Sequence, residues 1–397
     1  MKRYLVLVAC MIMLLCLGTG QAWSAFVAPL EKEHGLLTRQ TQLVFSTGTF
    51  FFCFMIIFAG RLHDRLGPRP VAVASALILG AAWLLASIKG ANFLFLWLAI
   101  GVMVGTGAGA GYVCAIATAI KWFPRHRGLI SGMMAAGFAC GPILLSTVTE
   151  VLLLHGWHVL SIFGLIGCVY APIILATGLL LIVPPGQPGA AAEVAAFRRR
   201  KLLTDRRFWT LFVGMFCGTL PYLTVIGSVK PIGLAFGIGA AAVAAISTMA
   251  SGNAGGRIFW GFVVDRFGPR RSILSAQFVT ILSMLCLILL GSRHPVIFLV
   301  AVSGVGFCYG SNFAIYPAAA ARLYGTHVLG SVYPLIMAAQ GISSIAPTVN
   351  GFLYDRTASF VPGLSLATAV AVLGIVICAI LSRGDACVGA PDAIHRV

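Results

Sequence analysis

The sequence predicts an all-α membrane protein with twelve transmembrane helices in two pseudo-symmetric six-helix bundles. Three observations carry this expectation. The 397 residues are 59% hydrophobic and only 9% charged, with a mean hydropathy of +0.99, too little polar surface for a water-soluble fold of this size. The chain contains twelve apolar runs near 20 residues long, each able to cross a hydrocarbon core of about 30 Å as a helix. A charged turn also recurs at half the chain length: Gly60-Arg-Leu-His-Asp-Arg-Leu-Gly-Pro-Arg69 returns as Gly261-Phe-Val-Val-Asp-Arg-Phe-Gly-Pro-Arg270. Such a repeat marks a membrane protein built from two similar halves.

In the first half the runs are Tyr4–Ala28, Gln42–Gly60, Val71–Ile88, Phe93–Ile120, Gly128–Leu153 and Val159–Val183. In the second they are Phe208–Val229, Phe236–Val264, Ser272–Gly291, Val296–Ala321, Leu329–Leu353 and Pro362–Leu381. Backbone polar groups inside a bilayer must be satisfied within the segment, so each run is read as a helix. None shows the period-two alternation of a membrane barrel strand. The first run follows Lys2-Arg3 as a signal peptide would, but it continues past any plausible cleavage point and the second half opens with a matching run. It is therefore expected to be retained.

The fourth run carries Gly101, Gly105, Gly107, Gly109 and Gly111, and the fifth carries Gly132, Gly137 and Gly141-Pro142. Small residues let helix backbones approach closely, and Pro142 is a candidate kink. Gly341 and Ala346-Pro347 give the eleventh run a related pattern. Proline and glycine from Pro184 onward end the sixth helix, followed by the basic run Arg198-Arg-Arg-Lys201. The expected organisation is a bundle over 1–183, a cytoplasmic linker over 184–207 and a second bundle over 208–397.

Lysine and arginine set the orientation. With both termini in the cytoplasm, only Lys32, Arg39, Lys89, Lys230, Arg293 and Arg356 fall outside, and Arg257 falls within a span. The positive-inside rule then places the protein in a cell (inner) membrane, multi-pass, with its basic loops against anionic lipid. The net charge of +17 is accounted for without a nucleic-acid partner. No Asn-x-Ser/Thr sequon occurs, which is compatible with a bacterial origin. The eleven cysteines stand singly without metal-ligand spacing and read as packing residues. The histidines lie in loops or near span ends, and no nucleophile stands beside a base. No enzyme activity, metal or cofactor is expected, and the chain is expected to act as a monomer.

Arg257 is the outlier among the spans. Asp265 marks the cytoplasmic end of the eighth helix, so Arg257 lies two turns inside, about 12 Å along the axis, too deep for easy snorkelling. Its counterpart in the first half is Ile56, and no Asp or Glu is expected in a span interior to neutralise it. A guanidinium facing a cavity is a site for an anion, best a carboxylate held by two parallel hydrogen bonds. Asn253 shares its face at i−4. Tyr309, Asn312 and Tyr316 form an i, i+3, i+7 stripe in the tenth span that either packs in the core or lines the cavity. Gln21, Trp23, Tyr112 and Gln340 are polar or amphipathic groups at mid-span depth. Asp64 and Asp265 are expected to cap the following helices and pair with Arg65, Arg69, Arg266 and Arg270, forming clasps that hold one conformation and release in another.

The turn built on Gly60, Leu62, Asp64, Arg65, Gly67 and Arg69, with its weaker copy at Gly261, Asp265, Arg266, Gly268 and Arg270, resembles the signature loop of the major facilitator superfamily. A narrower likeness, in Gln21-Ala-Trp-Ser-Ala-Phe-Val-Ala-Pro-Leu30, Gly107-Ala-Gly-Ala-Gly-Tyr112 and Asn253-x-x-x-Arg257, points to the branch of oxalate–formate antiporters and monocarboxylate transporters. The resemblance implies alternating-access transport with Arg257 on a substrate carboxylate. Two departures shape that implication. Gln340-Gly341 stands where oxalate–formate antiporters carry a lysine, which disfavours a dicarboxylate. Asn253 replaces the aspartate of proton-coupled monocarboxylate transporters, and Leu30 follows Pro29 where they carry a lysine. The expected substrate is a small monocarboxylate such as lactate, pyruvate or formate, with a proton as candidate co-substrate. The alternative is a carboxylate antiporter.

Overall fold

The computed structural model describes residues 2–88, 92–123, 127–184, 202–325 and 329–381. Most of the expected linker, with Arg198–Lys201, lies outside the described residues, and so do Lys89, Arg125 and both basic residues beyond 381. The described residues form helices and no strand.

Helices follow the apolar runs in order. The first span is Lys2–Gly18 with a tight turn over Thr19–Ala22, extended by Ser24–His34. Then come Thr38–Leu66, Pro68–Ala86, Phe93–Trp122, Arg127–Leu154 and Val159–Leu179. The second half repeats the series as Arg206–Ile226 extended by Val229–Ala235, Ala240–Phe267, Pro269–Leu290, Pro295–Tyr324, Leu329–Ser343 with Ile345–Thr357, and Val361–Leu381. Among the described residues eleven helices are long and apolar enough to cross a membrane. The eighth, Ala240–Phe267, has the length at 28 residues, but Asn253, Arg257, Asp265 and Arg266 lower its hydropathy. The first, seventh and eleventh spans are interrupted, whereas the fifth runs through Pro142 as one helix.

Both charged turns have one backbone solution. Gly67 and Gly268 each adopt a φ of +81°, a region costly for any side chain, and Pro68 and Pro269 then start the next helix. The expected capping does not occur, because neither turn has a side-chain cap. Asp64 instead bonds Lys121 at 3.3 Å, and Asp265 pairs with Arg322 at 3.6 Å. These pairs are mates, each residue of the second lying 201 positions after its counterpart. Both tie two helices of one half, not the two halves together. The aspartates reach across to the neighbouring helix end, and among the described residues Arg65, Arg69, Arg266 and Arg270 make no ion pair.

The fourth-span glycines serve the close packing expected of them. Gly105 lies against the Gly48 backbone and Gly109 against Phe52, where a Cβ would overlap. Their mates Gly306 and Gly310 press equally against Met249 and Asn253. The eighth and tenth helices therefore meet backbone to backbone, which sets the position of Arg257 over the tenth.

The second helix packs on the eleventh across the halves, and the fifth on the eighth. Polar contacts between the halves sit at mid-depth or toward the end opposite the charged turns, here called the far end. Gln42 donates to the Gly227 carbonyl at 2.9 Å, Thr348 bonds Ser46 at 2.7 Å, and the Arg39 amide donates to Asp355 at 3.1 Å. Lys230 forms a buried ion pair with Glu150. The expectation that no acidic residue lies in a span is corrected by Glu150, which falls inside the fifth helix. It serves Lys230 near the far end and not Arg257.

Candidate functional site

The eighth helix presents two faces. Ile258 is 77% exposed toward the surrounding bilayer region, whereas its neighbour Arg257 is 8% exposed and Asn253 1%. One helical turn separates Asn253 from Arg257, and Arg257 Nε donates to Asn253 Oδ1 at 3.2 Å. The guanidinium carbon lies 4.2 Å from the centre of the Phe313 ring, a cation–π contact. Nη1 and Nη2 are buried without a hydrogen-bond partner, as is Asn253 Nδ2. A buried charged donor left unmade costs far more than a neutral one. Two parallel N–H groups therefore stand in a low-dielectric site with the Tyr112 hydroxyl beside them.

Tyr309 joins this arginine to the middle of the molecule. Its ring meets Phe313 edge-on at 5.2 Å and stacks on Tyr222 of the seventh helix at 3.6 Å with an interplanar angle of 2°. Gln340 Nε2 donates to the Tyr309 hydroxyl at 3.1 Å, leaving Gln340 Oε1 unpartnered. Tyr222 donates in turn to Gln21 Oε1 at 3.0 Å. Gln21 and Tyr222 are themselves mates, 201 positions apart. Two symmetry-related positions can touch only on the axis that relates them, so this bond marks the pseudo-twofold axis.

Around the axis lies a cavity with mainly apolar walls, among them Trp23, Phe26, Phe52, Val104 and Phe138, with Gln21, Tyr222, Tyr309 and Gln340 on its rim. Trp23 contributes its ring alone, since its indole N–H donates to the Thr41 carbonyl at 2.9 Å. Tyr112 turns toward Arg257 while packing on Phe52 at 5.4 Å and Phe138 at 5.0 Å. Tyr112 thus connects the Phe52 and Phe138 side of the cavity to the guanidinium, which stands beside the cavity lining.

The structure brings together Arg257, Asn253, Tyr309, Gln340, Tyr112, Gln21 and Trp23. Asn312 is the exception: its amide donates to the Tyr309 carbonyl at 3.2 Å and faces Gly218 of the seventh helix. Tyr316 likewise turns to Gly214. Sequence reading missed Tyr222, Phe313, Phe52 and Phe138. Tyr222 had a signal available, as the mate of Gln21; the phenylalanines had none in an apolar span. Among the described residues no cluster of His, Cys, Asp or Glu could hold a metal ion, and ten cysteines are free.

The geometry is that of a polar site at the centre of a two-halved helical bundle, and comparisons with known proteins agree with that architecture. The chain is 26% identical over 355 residues to the oxalate:formate antiporter of Oxalobacter formigenes, covering 86% of this chain and 82% of that one. It is 24% identical over 365 residues to apicoplast pyruvate carrier 1 of Toxoplasma gondii, covering 74% and 65%. A solved bacterial homolog of the human lysosomal transporter Spinster, inward-facing and unoccupied, superposes with a TM-score of 0.74 at 16% identity over 96% of each chain. The family model of the Major Facilitator Superfamily matches residues 8–348, and this chain belongs to that superfamily of transporters.

Proposed function

We propose that this transporter moves a small monocarboxylate across the membrane by alternating access, with Arg257 holding the carboxylate. The observation that carries the reading is the buried guanidinium with both terminal nitrogens unpartnered. A carboxylate matches that fork with two charge-assisted hydrogen bonds. Asn253 holds Nε and leaves its own Nδ2 as a further donor. The Gln340 carbonyl and the tyrosine hydroxyls offer partners to a hydroxyl or keto group on the substrate.

One full charge on the protein suits one on the substrate. Lys230, the other lysine or arginine buried among the described residues, is committed to Glu150, so a second carboxylate would enter the site unpaired at high cost. Two relatives, an oxalate:formate antiporter and a pyruvate carrier, are consistent with a carboxylate. The cross-half contacts close the far end, which the charge distribution assigns to the exterior.

The test is uptake of radiolabelled pyruvate into proteoliposomes by wild type, Arg257→Lys and Arg257→Gln. Loss of saturable uptake by at least 100-fold in Arg257→Gln, with partial activity in Arg257→Lys, is expected. Equal uptake in all three would remove Arg257 from the site. Uptake into empty vesicles supports uniport or symport, and a strict need for internal carboxylate would move the reading to antiport.

A further inference from the structure

The two halves of the site are chemically unlike at mated positions. Arg257 corresponds to Ile56, Asn253 to Phe52, Tyr309 to Ala108 and Gln340 to Ala139, each pair 201 positions apart. At these four positions the second half is polar where the first is apolar; Tyr222, mate of Gln21, and Phe313, mate of Tyr112, stand outside the pattern. Phe52 and Ala108 line the cavity, and the mates of Arg257 and Gln340 are buried in the first-half core.

The first-half wall has little polarity left to offer. Thr19 donates to the Cys16 carbonyl at 2.6 Å, Thr49 to the Phe45 carbonyl at 3.1 Å, and Trp23 to the Thr41 carbonyl. Gln21 Oε1 is occupied by Tyr222. What remains is aromatic surface: Trp23, Phe26, Phe45, Phe52, Trp83 and Phe138. A formate or lactate held at Arg257 would leave this pocket unused, with water against aromatic walls.

We infer that the substrate is an amphipathic monocarboxylate with a branched or aromatic apolar tail, its carboxylate on the second half and its tail in the first-half pocket. This rests on the Arg257 reading and narrows it, because head and tail are recognised by different bundles. A substrate that bridges the halves also gives each bundle a reason to close on it, which a small acid bound to one half would not. Burying a tail in such a pocket strengthens binding roughly fourfold per methylene, so a branched six-carbon 2-oxo acid should outcompete pyruvate by an order of magnitude or more.

The experiment is competition against radiolabelled 4-methyl-2-oxopentanoate in proteoliposomes by pyruvate, L-lactate, formate, phenylpyruvate and the uncharged 4-methyl-2-pentanone. Wild type should be inhibited by phenylpyruvate at concentrations at least tenfold below those needed for pyruvate, and the ketone should not compete. Ala108→Phe, which fills the pocket, should shrink that selectivity ratio at least tenfold. If Ala108→Phe fails to fold, the wild-type ranking alone decides. Pyruvate or formate competing as well as phenylpyruvate overturns the tail inference, and if Arg257→Gln still abolishes uptake the carboxylate reading survives it. Competition by the ketone, with Arg257→Gln active, overturns the carboxylate reading itself.

Discussion

At the scale of single residues, the contact between Arg257 and Asn253 decides how the site treats protons. Asparagine accepts from Nε without competing for the arginine's charge. An aspartate at the same place would form an internal ion pair and leave an incoming carboxylate to displace it. Asn253→Asp should therefore lower uptake at least tenfold throughout pH 5 to pH 8, because the ion pair keeps the new carboxyl charged. Uptake equal to wild type in the variant would show that residue 253 does not face the guanidinium in the working cycle. Arg257 was legible in the sequence because a charge in an apolar span is expensive and needs a reason. Asn312 was misplaced by treating Tyr309, Asn312 and Tyr316 as one stripe. At 100° per residue, Asn312 lies about 60° to one side of Tyr309 and Phe313 about 40° to the other. Only the second direction leads to Arg257, and nothing in a phenylalanine advertises that.

At the scale of helices, the charged turns were legible and their partners were not. The repeat located Asp64 and Asp265, but their bonds go to Lys121 and Arg322, on helices the turn itself does not name. The far-end closure was hidden for a similar reason: Glu150 and Lys230 sit 80 positions apart and become partners only when the fifth helix meets the seventh-helix extension. Their side chains are 15% and 10% exposed, so removing one partner leaves a largely buried charge, worth about 3–5 kcal/mol against this conformation. Lys230→Met and Glu150→Gln should each shift the population toward opening at the far end, and the double variant should recover much of the closed state. The readout is labelling of Thr49→Cys, on the cavity wall, by a membrane-impermeant maleimide applied from the far side. Labelling that rises in the single variants and falls back in the double variant is the expected pattern. No change in either single variant would show that the pair does not hold the closure.

At the scale of the whole molecule, the repeat made two bundles readable, but not which end is closed. Closure is a property of surfaces from opposite halves, and only the fold puts Arg39 beside Asp355 or Ser46 beside Thr348. The same closure brings Glu31, on the extension of the first span, toward Asp355 of the second half. Burial pushes the Glu31 carboxyl above the usual carboxylate range, and repulsion from Asp355 adds to it, partly offset by Thr38 and Thr41. Arg39 reaches Asp355 at 3.9 Å and softens that repulsion. A carboxyl whose affinity for its proton is raised in one conformation favours that conformation while protonated, and the advantage is lost as pH rises through the raised value. Acid on the far face should therefore hold the far end closed, and raising the pH from the ordinary carboxylate range upward should promote its opening. Glu31→Gln, neutral at every pH, should keep the closed population of the protonated wild type and lose the pH response of Thr49→Cys labelling. If that response persists in Glu31→Gln, the proton acts elsewhere; if wild type shows none between pH 4 and pH 8, the Glu31–Asp355 approach carries no conformational weight.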